Sequence, residues 1–309
     1  MVKSCLFQNG KAEFRELENA NISVLDAAYL FGDGVYEVIA VVNGRLFDLQ
    51  PHLVRLENSL RTVHIQQPVP TKELSAILSQ LPEENKSGYV YLQVSRGAHT
   101  QRDFLIAKDT KSTFFAYFQE QKLFPPQSEG ETSILYPDIR WSLHHVKTTQ
   151  LMSSRLAKKF AVENGAHEPV YIAVDGTITE GGSSNLFIVK NGEIITHPAD
   201  NGILWGITRQ RVMELAGKVT ERKFKLDELL AADEVFRTST TQGVRGIANF
   251  KIAALDKETF SDVPPDTIWQ PQKPGIHKIG NGQIGKITKQ LAQKYIELAN
   301  ETLPAAKTA

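Results

Sequence analysis

Cysteine is almost missing. The 309 residues hold one, Cys5, so no internal disulfide is available, and with no His/Cys spacing around it no metal site is expected. Net charge is missing too, because 35 Lys plus Arg balance 35 Asp plus Glu. That removes the electrostatic case for nucleic acid or an anionic membrane surface as partner. No stretch approaches ~18 consecutive apolar residues, and the start, Met1 to Phe7, lacks the apolar run of a signal peptide. Internal repeats and low-complexity tracts do not occur. A soluble, cytoplasmic protein is the expectation, with a small-molecule enzyme as its class.

What is present points to two domains. The chain is long for one domain, and 41% of it is apolar, enough for substantial cores. Asn9-Gly10 and Asn43-Gly44 sit between short apolar runs and mark hairpins. Strands are expected at 35–42, 45–47, 89–95 and 112–118, with a polar stretch at 96–109. A helix opens at Pro51 with Leu53, Leu56 and Leu60 on one face, and another covers 71–80. Pro125-Pro126, inside the apolar-poor segment 121–132, reads as a linker. Beyond it, strands are expected at 133–136, 139–146, 169–174, 185–189, 193–196 and 235–239. Helices are expected at 150–163, 208–218, 226–231 and 284–302, and a frayed tail at 303–309. Hairpins in place of regular βαβ units argue for two α+β domains, 1–120 and 133–309, and against a doubly wound dinucleotide fold.

Several short segments could carry chemistry. Gly32-Asp33-Gly34 has no third glycine and precedes a strand, so it is not a nucleotide fingerprint. On its own it is a turn that needs positive φ. Glu180, followed by Gly181-Gly182-Ser183-Ser184, suits close approach by a flat ligand, or is a solvated acid in a loop. Ile207 and Thr208 start a helix after a Gly-containing turn, where outward N–H groups suit a phosphate; alternatively Thr208 caps its own helix. The hydroxyl run Thr238, Ser239, Thr240, Thr241 is an anion cradle or a polar turn. Lys147 stands at a strand–helix junction, where partial burial makes an ammonium easier to deprotonate, although most lysines are solvated. His144 and His145 are adjacent, which on a strand sends them to opposite faces and gives no metal site.

The segments "FGDGVYEV", "DIRWSLHHVKTTQL", "TEGGSSNLF", "THPADNGILWGITR" and "TSTT", in this order, resemble the fold-type IV pyridoxal-phosphate aminotransferases. Within that group the chain is most similar to the D-amino-acid aminotransferases. The likeness runs from the first hairpin to the last helix. It implies a two-domain α+β fold with the Schiff-base lysine in the C-terminal domain, pyridoxal 5'-phosphate as cofactor, and a homodimer. Lys147 matches the family's Schiff-base lysine, which also shuttles the substrate proton. Glu180 matches the carboxylate facing the pyridine nitrogen, and Arg55 the arginine on the cofactor phosphate. Ile207, Thr208, Ser239 and Thr240 match further phosphate contacts, and Leu204 the apolar residue against the ring. Tyr36 matches an active-site tyrosine near the substrate carboxylate.

Two departures bear on the substrate. The loop "RGAHTQRDF" places Arg102 one residue late and His99 upstream of where the D-amino-acid enzymes carry their carboxylate-binding pair. Arg102, His99, Thr241, Arg237 and Arg245 are therefore all candidates on the substrate side. Where the family often has a basic residue, this chain has Asp26-Ala27-Ala28. The expected reaction is ping-pong exchange of an amino group between an amino acid and a 2-oxo acid, with D-alanine or D-glutamate as first guess. Branched-chain or (R)-amine aminotransferases and aminodeoxychorismate lyase are the related alternatives. A ligand carrier that retains the scaffold is the alternative of another class, but it would need no proton-shuttling lysine.

Overall fold

The computed structural model describes residues 3–106 and 110–301. The last residue of the expected helix 284–302, the tail 303–309, and positions 107–109 of the polar stretch lie outside them. The chain divides into two compact units. One holds the chain up to Leu123, the crossing segment Val146–Gln150, and the chain from Ala299; the other holds Phe124–His145 and Leu151–Leu298. By this division Lys147 goes with the first unit, whereas the sequence assigned it to 133–309, because the crossing segment is bonded to a strand of the first unit.

The first unit is built from β1 (Lys3–Gln8), β2 (Lys11–Glu16), α1 (Ala27–Phe31), β3 (Gly34–Val42), β4 (Arg45–Leu46), α2 (Leu49–Thr62), α3 (Thr71–Leu78), β5 (Gly88–Ser95) and β6 (Thr113–Glu120). The strands form an antiparallel sheet in the order β2-β1-β6-β5-β3-β4. Strand alternation gives it two different faces. Val35, Ile39, Val90, Leu92, Val94, Phe114 and Ala116 point to the buried face. There α2 packs on β3 with Leu53, Leu56 and Leu60 inward. Tyr36, Tyr91, Gln93, Phe115 and Tyr117 share the other, half-buried face.

The second unit contains β7 (Glu131–Pro137), α4 (Met152–Glu163), β8 (Glu168–Ile172), β9 (Ile178–Gly181), β10 (Asn185–Lys190), β11 (Glu193–Thr196), α5 (Ile207–Ala216), β12 (Thr220–Glu221), α6 (Leu226–Leu230), β13 (Glu234–Ser239), β14 (Gly243–Ile252), α7 (Lys257–Phe260), β15 (Gly275–Lys278) and α8 (Lys286–Glu301). The sheet order is β12-β11-β10-β13-β14-β7-β8-β9, with β15 on β14. Pairing is antiparallel except at β11–β12, β14–β7 and β7–β8. Both faces are covered. Leu135, Val170, Leu186, Ile188, Val235 and Phe250 meet Phe224 and Leu229 on one side, and Ile134, Tyr136 and Tyr171 meet Ala157, Phe160 and Ala161 of α4 on the other. Burial on both sides is why β8 and β10 read as apolar runs without alternation.

Segment 139–146 is not the expected strand. Pro137 ends β7, and Asp138 turns the chain by accepting from the Arg140 N–H at 3.3 Å. Strands β9, β14 and β15 were not foreseen; Gly243 and Gly246 in β14 lower its strand signal, and pairing to three neighbours overrides that. No helix among the described residues is long and apolar enough to cross a membrane.

Candidate active site

In the first unit the glycine motif brings Lys147 to Tyr36. Gly32 ends α1 in the left-handed region, at φ 66°, where a glycine avoids the Cβ penalty. The chain then enters β3 beside the crossing segment. Thr149 N donates to Gly34 O and Tyr36 N to Lys147 O, both at 2.9 Å, and Val35 bridges Thr148. Lys147 Nζ thereby lies 3.2 Å from Tyr36 Oη and over its ring, 4.3 Å from the centroid. Tyr36 in turn stacks on Tyr91 at 5.8 Å.

The next residue, Glu37, points the opposite way, into the core under α2, and is fully buried. Arg55 grips it with a fork, Nε to Oε1 at 2.8 Å and Nη2 to Oε2 at 2.7 Å, and His52 Nδ1 meets Oε2 at 2.7 Å. Burial pushes the Glu37 carboxyl up, but the charge and hydrogen bonds of Arg55, helped by His52, pull it down to about 2. Burial holds His52 neutral, against the pull of Glu37. Arg55, expected on a phosphate, is thus anchored by a carboxylate that sequence reading had left as part of a strand.

The second unit assembles Glu180, Leu204, Ile207, Thr208, Ser239 and Thr240 on connected elements. Glu180 on β9 is buried and accepts from Arg140 Nη1 at 2.5 Å, Asn185 Nδ2 at 3.0 Å and Leu204 N at 3.0 Å. Arg140 gives its own fork to Asp138, Nε at 2.9 Å and Nη2 at 2.8 Å, and lies 4.2 Å over the Tyr171 ring. Burial raises Glu180, the Asp138 charge adds to this, and Arg140 with the Leu204 N–H opposes it. Arg140 also holds Asp138 below its ordinary range, against burial.

Asn185 links this carboxylate to the helix start. It also donates to Leu204 O at 2.8 Å, and a Cβ on Gly206 would come within 1.9 Å of its Oδ1. Glycine is therefore needed at 206 for close approach. As the N-cap of α5, Gly206 offers no side chain to the first-turn N–H groups. Thr208 does not cap them either: its buried hydroxyl pairs with Tyr295 Oη at 3.2 Å. Helix α5 packs on β13, where Thr238 lies opposite Asn185 and keeps a buried Oγ1 with no partner among the described residues. Ser239 ends β13 opposite Gly243, Thr240 begins the turn into β14, and Thr241 O accepts from Phe124 N.

The substrate-side candidates belong to both units: Arg102 and His99 to the first, Arg237, Arg245 and Thr241 to the second. Arg102 is exposed, its guanidinium 5.2 and 4.9 Å from the Phe31 and Phe104 rings. His99 is half-buried and donates its N–H to Leu25 O. Arg237 and Arg245 both bind Glu131, at 2.7 and 3.2 Å, so their charge serves the second unit's own core.

Sequence reading missed Glu37 with His52, Asp138 with Arg140, and Asn185. A signal existed for the first: Glu37 occupies the same strand parity as Val35 and Ile39, so a charge there had to be paired. Asp138 and Arg140 stood inside a quoted motif but carried no assigned role.

Comparison with known proteins gives the family of the chain. A profile of the family described as Amino-transferase class IV matches residues 34–250. The chain is similar to a D-alanine aminotransferase of Staphylococcus epidermidis, 32% identical over 302 residues, 94% of this chain and 98% of the relative. A D-alanine aminotransferase of Listeria monocytogenes is 34% identical over 291 residues, 91% of this chain and 92% of the relative. Among solved structures, the branched-chain amino acid aminotransferase of Escherichia coli superposes with a TM-score of 0.78 at 20% identity, covering 100% of this chain and 97% of that one. The branched-chain aminotransferase of the archaeon Thermoproteus uzoniensis, with norvaline, gives 0.75 at 23% identity, covering 97% and 95%. At such identities the structures speak to the fold alone.

Proposed function

The chain belongs to the class IV aminotransferase family, a pyridoxal-phosphate-dependent transaminase family, and on that premise we propose that it exchanges amino groups between D-amino acids and 2-oxo acids. The observation that carries the reading is the Lys147 Nζ–Tyr36 Oη pair at 3.2 Å. The near full-length likeness to D-alanine aminotransferases supports the D branch.

The residues present fit the cofactor. Glu180 is a buried carboxylate suited to a ring nitrogen, and Leu204 is held beside it through its backbone N–H. The uncapped first turn of α5 at Ile207 and Thr208, with the unpartnered Thr238 hydroxyl and the neighbouring Ser239 and Thr240, suits a phosphate. In the first unit, Glu37 fixes the orientation of the Arg55 guanidinium, the group that the family likeness proposes for the phosphate. When bound, pyridoxal phosphate supplies an aldehyde carbon that takes up the amino group and a ring that accepts the electrons of the substrate Cα–H bond. With the cofactor bound, Lys147 Nζ would hold it and would move the Cα proton, oriented by Tyr36 Oη. Glu180 holds the negative charge that favours a protonated ring nitrogen. Arg102, on the exposed loop, is the guanidinium proposed for the substrate carboxylate, with His99 and Thr241 as further contacts.

A homodimer is part of this reading. In the first unit, Val24 and Tyr29 are exposed, and Phe104 and Leu105 are 80% and 77% exposed. The bridge Asp26–Ala98 and the bond His99 N to Leu25 O join the two segments into one surface. An apolar surface of this kind suits a second copy. Sedimentation of the purified protein at the monomer mass would remove this part.

The substrate test is a set of half-reactions with D-alanine, D-glutamate, L-leucine and an (R)-amine, followed by loss of the visible absorbance of the lysine-bound cofactor. D-Alanine or D-glutamate is expected to discharge it. Discharge by L-leucine or the (R)-amine alone would overturn the D-amino-acid assignment.

A further inference from the structure

The cluster around Glu180 is unbalanced. Asp138 and Glu180 bring two negative charges to one guanidinium, Arg140, and the fork of that guanidinium goes to Asp138. Glu180 is left with one Nη1 contact and two neutral N–H donors. We propose that Asp138 is a positioning residue for the cofactor: by drawing Arg140 away, it leaves the Glu180 carboxylate short of one positive charge, which a protonated ring nitrogen supplies.

The other groups facing Asp138 do not fill the deficit. Thr179 Oγ1 donates to it at 3.1 Å without charge. His144 Nε2 lies 3.9 Å away but is kept neutral by burial and by Arg140. Tyr171, beneath Arg140, gives its hydroxyl to Ser154 at 3.1 Å. The sum is two carboxylates against one guanidinium in a buried cluster, where an uncompensated charge is strongly disfavoured. Beside an ionised Glu180 a cation at the ring nitrogen closes the balance, and a neutral pyridine closes it only if Glu180 takes the proton, the direction in which burial already pushes it. Remove the Asp138 charge, and Arg140 can turn its fork to Glu180, as Arg55 does to Glu37. The demand for the cation then falls.

This rests on Glu180 facing the ring nitrogen, so the experiment separates the two claims. Apoprotein is loaded with cofactor labelled at the ring nitrogen, and the NMR signal of that nitrogen is followed with pH in wild type, Glu180→Gln, Asp138→Asn and Asp138→Glu. Asp138→Asn is expected to lower the pH at which the nitrogen gives up its proton by about one to two units, and to weaken cofactor binding by roughly tenfold per unit. Asp138→Glu restores the charge and is expected to return the signal toward wild type. A merely structural role would change the melting temperature of the apoprotein and leave this titration alone. If Asp138→Asn does not fold, Asp138→Ser removes the same charge and carries the same expectation. A wild-type titration in the folded Asn or Ser variant overturns the proposal. A wild-type titration in Glu180→Gln instead removes the Glu180 assignment on which it stands.

Discussion

Glu37 in the first unit and Glu180 in the second are both buried and both meet an arginine, yet they are pushed in opposite directions. Glu37 has Arg55 with its fork, plus His52. Glu180 shares Arg140 with Asp138 and receives one of its nitrogens. Burial alone therefore does not decide the charge state of a carboxylate; the allotment of guanidinium N–H groups and the presence of a competing carboxylate do. The well-satisfied glutamate is a structural anchor beneath the sheet. The under-satisfied one is the group proposed to meet the cofactor.

The hardest test of the contrast is Glu37→Gln. It leaves Arg55 buried without its carboxylate and is expected to cost about 3–5 kcal/mol of stability, measured by urea unfolding. A loss under about 1 kcal/mol would put Glu37 in the same class as an exposed ion pair.

Acid is the next test. Arg55 and His52 pull the folded Glu37 carboxyl down to about 2, below its ordinary 4.5. Its contribution is complete above the ordinary value and is lost as pH falls toward 2, on the order of 3 kcal/mol. His52 adds in the same direction: held neutral when folded, it protonates first in the unfolded chain, so its share fades below its ordinary 6.5. Unfolding free energy against pH should therefore drop steeply on the acid side in wild type, and the carboxyl part of that drop should vanish in Glu37→Gln.

The smallest stability change is expected for Glu180→Gln. Arg140 keeps its fork to Asp138, and a buried carboxylate already raised by burial is replaced by a neutral amide. Stability should move by no more than about 1 kcal/mol, while cofactor affinity falls. A loss as large as that of Glu37→Gln would erase the distinction between anchor and ligand group.

Much of the fold is legible in the sequence. Asn-Gly turns, the alternation of β3, and the Leu53/Leu56/Leu60 stripe announced their elements because local backbone chemistry and periodicity dictate them. The ordered motifs singled out Lys147, Glu180, Ile207, Thr208, Ser239 and Thr240 as the residues now proposed for the site. Strand β14 was not legible, since its glycines signal a turn and only its ladder partners make it a strand. Nor was segment 139–146, where an Asp138–Arg140 turn replaces the strand suggested by its apolar residues.

The sequence by itself therefore determined which residues carry reactive groups and which face of each element turns inward, because both follow from side-chain chemistry and from repeats of a few residues. Partnership was decided only by the tertiary structure. That Lys147 lies over Tyr36, that Arg55 belongs to Glu37, and that Arg140 is divided between Asp138 and Glu180 depend on segments as far as 111 residues apart in the chain. Hydrogen-bond direction and shared burial act across space, and no short-range pattern in a sequence records how one guanidinium is apportioned between two carboxylates.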